Sequence, residues 1–159
     1  MKGDRIVQRG LYFNEIEEGV TYVHAPGRTV TEADNVLFTT LTMNTQSLHL
    51  DQAWSEQTEF GERLVNSMFT LSLLVGLSVT QLTQGTIVAN LGLDNVEFPA
   101  PVRVGDTLYA ETHIARKRTS ASRPGQGIVT FQHTMRNQRD TVVASARRDT
   151  LMLTSGAKQ

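Results

Sequence analysis

The run Leu64 to Leu82, LVNSMFTLSLLVGLSVTQL, limits the possible folds more than any other part of the chain, because it is apolar on nearly every face. A helix without a polar side has to be buried in something. A membrane span needs about 20 predominantly apolar residues, whereas Asn66, Ser67, Thr70, Ser72, Ser78, Thr80 and Gln81 interrupt this run. The expectation is therefore a helix buried on most sides within a globular domain. Asn66 or Ser67 can cap the free N–H groups of its first turn, and Gly85 after Gln84 suits its exit.

What buries such a helix is visible downstream, where the period changes from helical to two. Thr107 to Ile114 puts Leu108, Ala110, Thr112 and Ile114 on one face and Tyr109, Glu111 and His113 on the other, as in a half-buried strand. Gly127 to Met135 and Thr141 to Leu153 read as the next two strands. The connections RTSASRPGQG and NQRD are turn-forming, so an antiparallel meander is expected. Thr86 to Leu91 and Asp94 to Phe98 add strand material before it. One long apolar helix followed by a series of strands predicts an α+β domain in which an antiparallel sheet wraps a central helix. Upstream, Thr31 is a candidate N-cap, with Glu32 and Asp34 in the first turn of a short helix through Val36, Leu37, Phe38 and Leu41.

A length of 159 residues suits a single domain. Fifteen Lys and Arg against 16 Asp and Glu give a formal charge of -1, so no global field would gather nucleic acid or a membrane surface. There is no Cys, which excludes disulfides and thiolate metal sites. The spacing of His24, His113 and His133 matches no metal site, and no metal is expected. His113 and His133 are placed within strands on the solvent or interface side. The stretch MKGDRIVQRG lacks the apolar core of a secretory signal, and a cytoplasmic location is the expectation. No phosphate-gripping Gly loop occurs.

A helix beginning TEAD, a loop ending Leu-His-x-Asp, then FGERLVNSMFTLSLLVG and VEFPAPVRVGDTL together resemble the MaoC-like hydratases, the (R)-specific enoyl-CoA hydratase group of the hot-dog fold. In that family the loop reads Asp-x-Asn-Pro-Leu-His, the helix opens with His-Gly-Met, and a later segment reads Pro-Val-x-x-Gly-Asp. Here the last is intact as Pro101 to Asp106, the loop is Asn44-Thr45-Gln46-Ser47-Leu48-His49, and the helix opens with Asn66-Ser67-Met68. The loop also looks like the branch associated with C5 acyl-CoA hydration.

The resemblance, which runs from about Tyr12 to Met152, implies a hot-dog domain with its core over those residues that adds water to a trans-2-enoyl-CoA thioester or removes it, with coenzyme A present only as part of the substrate and no other cofactor. It assigns proton transfer to His49 and to the position of Asn44, and thioester-oxygen binding to the N–H of Ser67. Asn44 is the departure, because an amide accepts no proton at neutral pH. His49 could act alone, Asp51 could substitute, or the substrate could bring a carboxylate, as mesaconyl- or itaconyl-CoA would. Gln46, Ser47, Asn66, Met68, Val75, Phe98 and Arg103 are the candidate substrate-binding residues, Arg103 as a partner for a dicarboxylic acyl group. Arg116, Lys117, Arg118 and Arg123 are either a solvated strand end or a site for the coenzyme A phosphates. The alternative for His49 is a buried structural histidine bonded to a backbone carbonyl. Asp51 is a candidate cap for the segment whose Trp54 and Phe60 would anchor a flap over the cleft.

A homodimer or higher homo-oligomer is expected, since such a sheet leaves edges to cover. The alternative function is a non-catalytic acyl-CoA binding subunit that has lost the catalytic Asp. A hot-dog thioesterase ranks third, because that chemistry wants a carboxylate at the helix start, and Asn66-Ser67 supplies none.

Overall fold

The computed structural model describes residues 4–157. A 3-10 turn, Phe13–Glu15, precedes the short strands β1 (Thr21–Val23) and β2 (Arg28–Thr29). Three helices follow, α1 (Glu32–Leu41), α2 (Ser47–Leu50) and α3 (Gln52–Ser55). Then come the long helix α4 (Ser67–Leu82) and four strands: β3 (Ile87–Glu97), β4 (Thr107–Thr119), β5 (Gln126–Asn137) and β6 (Val142–Leu153). All pairings are antiparallel, in the order β1-β4-β5-β6-β3, with β2 also on β4. The expected meander forms as β4, β5 and β6. Thr86 to Leu91 and Asp94 to Phe98 prove to be one strand, β3, whose register against β6 shifts at three places. A single strand absorbs the break because bulges bend it without ending its pairing.

The strand parity read from the sequence is the parity of the fold. Leu108, Ala110, Thr112 and Ile114 are all buried toward α4, while Tyr109 and His113 are exposed. Two apolar clusters follow the helix axis. Val30, Val65, Leu74, Val102, Leu108, Met135 and Val143 pack at its N-terminal half. Phe13, Ile16, Leu82, Ile114, Phe131 and Met152 pack at the other end. There Gly127 lets the Phe13 ring lie on the sheet, for a Cβ at that position would stand 2.3 Å from ring atoms.

Helix α4 differs from expectation in two ways. It starts at Ser67, so Leu64, Val65 and Asn66 are extended, held by Leu64 N–H to Leu48 O (3.0 Å) and Val65 N–H to Val102 O (2.9 Å). It is also less enclosed than a helix buried on most sides. Thr70, Leu74, Ser78 and Leu82 form the buried stripe, whereas Met68, Ser72, Gly76 and Thr80 face outward and are exposed. One sheet covers one side of a helix, and the open side is apolar or small. None of the described helices is long and apolar enough to cross a membrane.

His133 is fully buried, not on a solvent or interface side. Its parity on β5 is that of Phe131 and Met135, so the register that buries them carries the imidazole inward. There a chain of hydrogen bonds receives it: Gln81 Oε1 to His24 Nδ1 (2.7 Å), His24 Nε2 to Thr112 Oγ1 (2.7 Å), and Thr112 Oγ1 to His133 Nδ1 (2.8 Å). Burial, the Arg148 cation and His24 together push the His133 pKa down to about 3. Burial also lowers that of His24, against the Gln81 bond that raises it.

Candidate active site

The site is assembled where α1, α2 and the start of α4 meet. Thr31 caps α1 through the Asp34 N–H, and the Asp34 carboxylate answers the Thr31 N–H at 2.9 Å. After α1 the chain reverses through Met43, at a φ of 55°. Asn44 N–H donates to Thr39 O, and Asn44 Oδ1 accepts from the Gln46 N–H, both at 3.0 Å. This Asx turn launches α2, which carries His49.

One ring nitrogen of His49 is committed. Nδ1 lies 2.9 Å from the carbonyl oxygen of Leu64. A carbonyl only accepts, so Nδ1 carries a proton, and in the neutral ring the lone pair is on Nε2. The bond is the one expected of a structural histidine, but the side chain also lines a cavity of about 270 Å³, so it is not sealed away. Leu48, Phe60, Leu64, Val65, Phe98, Val102 and Val143 make the walls apolar. Ser67 stands on the same cavity at the N-terminus of α4. Asn66 caps that helix, its Oδ1 taking the Met68 N–H at 2.9 Å. The Ser67 N–H has no acceptor among the described residues. It is thus an unused donor at the positive end of a helix dipole. Among the described residues His49 is the one titratable side chain on the cavity wall, and no carboxylate lines it.

Of the other residues singled out from the sequence, Phe98 lines the cavity, whereas Gln46, Ser47, Met68, Val75 and Arg103 do not. Asn44 is half-buried and turned to its own loop, and Asn66 is buried behind the wall as the helix cap. Arg103 is paired with Glu62, Nε to Oε1 at 2.6 Å. Asp51 caps α3 through the Trp54 N–H at 3.0 Å and does not line the cavity. Phe60 reaches the cavity; Trp54 does not. The basic run lies far along β4. Nine residues separate Thr107 from Arg116, roughly 30 Å of strand at the usual rise per residue. Arg116, Arg118 and Arg123 are exposed there, and Lys117 Nζ is held by the carbonyls of Phe13 and Ile16. Within one subunit the fold does not bring these cations to the cavity.

Besides apolar wall residues such as Leu48, Val65 and Val143, sequence reasoning missed two polar residues. Thr70 also lines the cavity. Asn35, fully buried on α1, ties the site's segments together. The available signal was the polar pair Asn35 and Thr39, one turn apart on the helix face that turns inward.

Comparison with known proteins matches this arrangement to others. A model of the MaoC-like domain family covers residues 14–137. Protein MaoC of Klebsiella aerogenes is 36% identical over 120 residues, which is 76% of this chain and 35% of that protein. The (R)-specific enoyl-CoA hydratase of Rhodospirillum rubrum is 32% identical over 124 residues, 77% of this chain and 79% of that one. A solved structure from Mycobacterium tuberculosis, a conserved hypothetical protein with a double hot-dog fold, superposes with a TM-score of 0.84. It is 25% identical, over 94% of this chain and 46% of the other. The chain thus spans about a third of the length of the MaoC protein and four-fifths of the hydratase. The sheet on α4 is a hot-dog fold, and with a family model matching most of its length the chain belongs to the MaoC-like domain family.

Proposed function

We propose that the chain is the hydratase unit for trans-2-enoyl thioesters of coenzyme A, working as hydratase or dehydratase, with His49 as acid and base and the Ser67 N–H as the thioester-oxygen donor. The observation that carries this is their convergence. One apolar cavity holds a histidine whose Nδ1 is fixed, leaving Nε2 as a base, and a helix-start N–H with no acceptor of its own. In the hydration direction, a water oxygen bonds to C3 while Nε2 takes one of its protons. Electron density moves to the thioester oxygen, where the Ser67 N–H stabilises the enolate. The imidazolium then returns a proton to C2, so one water is added and His49 ends neutral. By the resemblance of the loop, Asn44 stands where the family carries Asp, and its Oδ1 is committed to the Gln46 N–H. That favours His49 acting alone over a two-residue mechanism.

The cavity wall favours an apolar acyl chain. Among the described residues no cation lines it, and Arg103, the candidate partner for a second carboxylate, is already paired with Glu62. A mesaconyl- or itaconyl-type substrate is therefore the second reading. Pairing with a second copy is part of the proposal. Among the described residues β3 is hydrogen-bonded on one edge alone and exposes Val88, Leu91 and Leu93, and α4 keeps an open outer face.

The test is hydration of crotonyl-, mesaconyl- and itaconyl-CoA by the wild type and by His49→Ala. Loss of general acid/base help costs about 10²–10⁴-fold in rate, and a deficit of that size on crotonyl-CoA is expected. Equal rates for the two proteins would remove His49 from the chemistry. Tight binding of all three thioesters without turnover would establish the non-catalytic binding subunit instead.

A further inference from the structure

We propose that Asn35 is the positioning residue that keeps the His49 imidazole and the Ser67 N–H in register, an assignment that rests on the reading of the cavity given above. Asn35 touches neither the cavity nor a ligand; it acts through three backbone groups. Its Nδ2 donates to the carbonyl of His49 (3.1 Å) and, at a longer 3.4 Å, to that of Leu64. Its Oδ1 accepts the N–H of Asn66 at 2.9 Å. The amide orientation is fixed by these partners. Turned over, Oδ1 would face two carbonyl oxygens and Nδ2 would face an N–H, leaving all three contacts repulsive.

Each partner leads directly to a working group. The Leu64 carbonyl is the same oxygen that receives Nδ1–H of His49, so one lone pair sets the tautomer while the other is steadied by Asn35. The His49 carbonyl belongs to the residue that carries the base. Asn66 is the cap of α4, one bond ahead of the free Ser67 N–H, and its own Nδ2 reaches back to Thr39 Oγ1 at 3.2 Å, one turn further along α1. Helix α1 therefore acts as a frame, and Asn35 is where the base side and the oxyanion side are fastened to it. Neither replacement by size alone serves. A Leu would leave two carbonyls and one N–H without this partner, and an ionised Asp would set negative oxygens against both carbonyls.

The experiment compares the wild type, Asn35→Ala, Asn35→Asp and Leu82→Ala, the last a buried residue at the far end of α4 that serves as a stability control. Two readouts are taken on the folded proteins. The first is the kcat and KM split on crotonyl-CoA. Misplacement of a catalytic group by about 1 Å can cost about 10²-fold, and Asn35→Ala should lose that much in kcat while KM moves by less than about threefold. Leu82→Ala should keep the wild-type kcat. The second readout is the nitrogen chemical shifts of the His49 ring, which report the tautomer without reference to turnover. Wild type should show protonated Nδ1 and bare Nε2 in the neutral ring, and Asn35→Ala should show a mixture of tautomers.

Asn35→Asp covers the case in which Asn35→Ala does not fold. A protonated carboxyl offers one O–H to a carbonyl and one C=O to the Asn66 N–H, so the single tautomer should return as that carboxyl takes up its proton. Unchanged His49 ring shifts in Asn35→Ala, or in Asn35→Asp while its carboxyl is ionised, would overturn the assignment, as would an equal loss of kcat in Leu82→Ala. If the wild type hydrates no enoyl-CoA, the functional reading fails, while the ring shifts still decide whether Asn35 positions His49.

Discussion

Acid should unfold this protein through its interior imidazoles, and His133 gives the size of the effect. Its ring stays neutral in the folded protein down to about pH 3, whereas in the unfolded chain it protonates near the ordinary histidine value of 6.5. Between those values the unfolded state binds a proton that the folded state does not, so stability rises with pH. The contribution is fully present above about pH 6.5, falls as pH drops, and levels off once both states are protonated near pH 3. Each unit costs up to about 1.4 kcal/mol per proton, so moving from pH 6.5, where the unfolded ring is half protonated, to 4.5 removes about 2 kcal/mol through His133 alone. His24 is shifted in the same direction and adds to the slope. Against a typical total of about 5–15 kcal/mol, that is a large fraction. The groups surrounding the ring explain why it resists protonation. Thr112 and His24 sit on one side, the Arg148 cation acts on it, and among the described residues no carboxylate acts on it to favour the charged form. Asp34 is held below its ordinary pKa, the bonds from Thr31 and the charge of Arg28 outweighing the burial that opposes them. It therefore titrates below the window from pH 4.5 to 6.5 and adds nothing to the slope there. The assay is urea unfolding at several pH values across that window for wild type and His133→Leu. The variant should lose about one proton's worth of slope, about 1.4 kcal/mol per pH unit, and retain the part due to His24. An unchanged slope in His133→Leu would refute the reasoning.

Two further substitutions probe packing and selectivity. Gly127→Ala places a methyl group 2.3 Å from the Phe13 ring, an overlap relieved only by moving that ring. A loss of about 1–3 kcal/mol is expected in thermal or chemical unfolding, and an unchanged midpoint would mean that Phe13 repacks freely. Arg103→Ala breaks a half-exposed pair with Glu62. It should cost no more than about 1 kcal/mol and leave crotonyl-CoA hydration at the wild-type rate; a selective rise in KM for mesaconyl-CoA would restore Arg103 as a carboxylate partner.

The parts of this fold legible in the sequence are those where one physical rule acts alone. The alternation in Thr107 to Ile114 could mean little else than a half-buried strand, and the Thr31 cap announces its helix through the residues that answer it. Legibility fails where two structures satisfy the same pattern. Leu64 and Val65 are as apolar as the helix after them, and a buried extended segment and a buried helix look alike over three residues. Yet that difference creates the site, because it is the extended Leu64 that turns its carbonyl to His49. His133 shows the opposite case. Parity with Phe131 and Met135 already places it inside, and the expectation of an outward face gives its polarity more weight than its register. A buried polar side chain needs a partner to be credible, and Thr112, the polar residue on the inward face of β4, is that partner.

The same reasoning bears on Asn44 and Asn35. The resemblance of the loop to the family draws attention to Asn44, and the structure gives that residue a local role, an Asx turn that starts the helix carrying His49. No motif points to Asn35, since its partners are backbone groups 14 to 31 positions away. Backbone partners leave no trace in residue identity, so the residue that holds the site together is the one a motif search passes over. What could expose it is the cost of the alternative. An amide on the inward face of an amphipathic helix is unfavourable unless three buried groups need it, and in a chain with one histidine at its cavity, the groups that need it are those that fix that histidine.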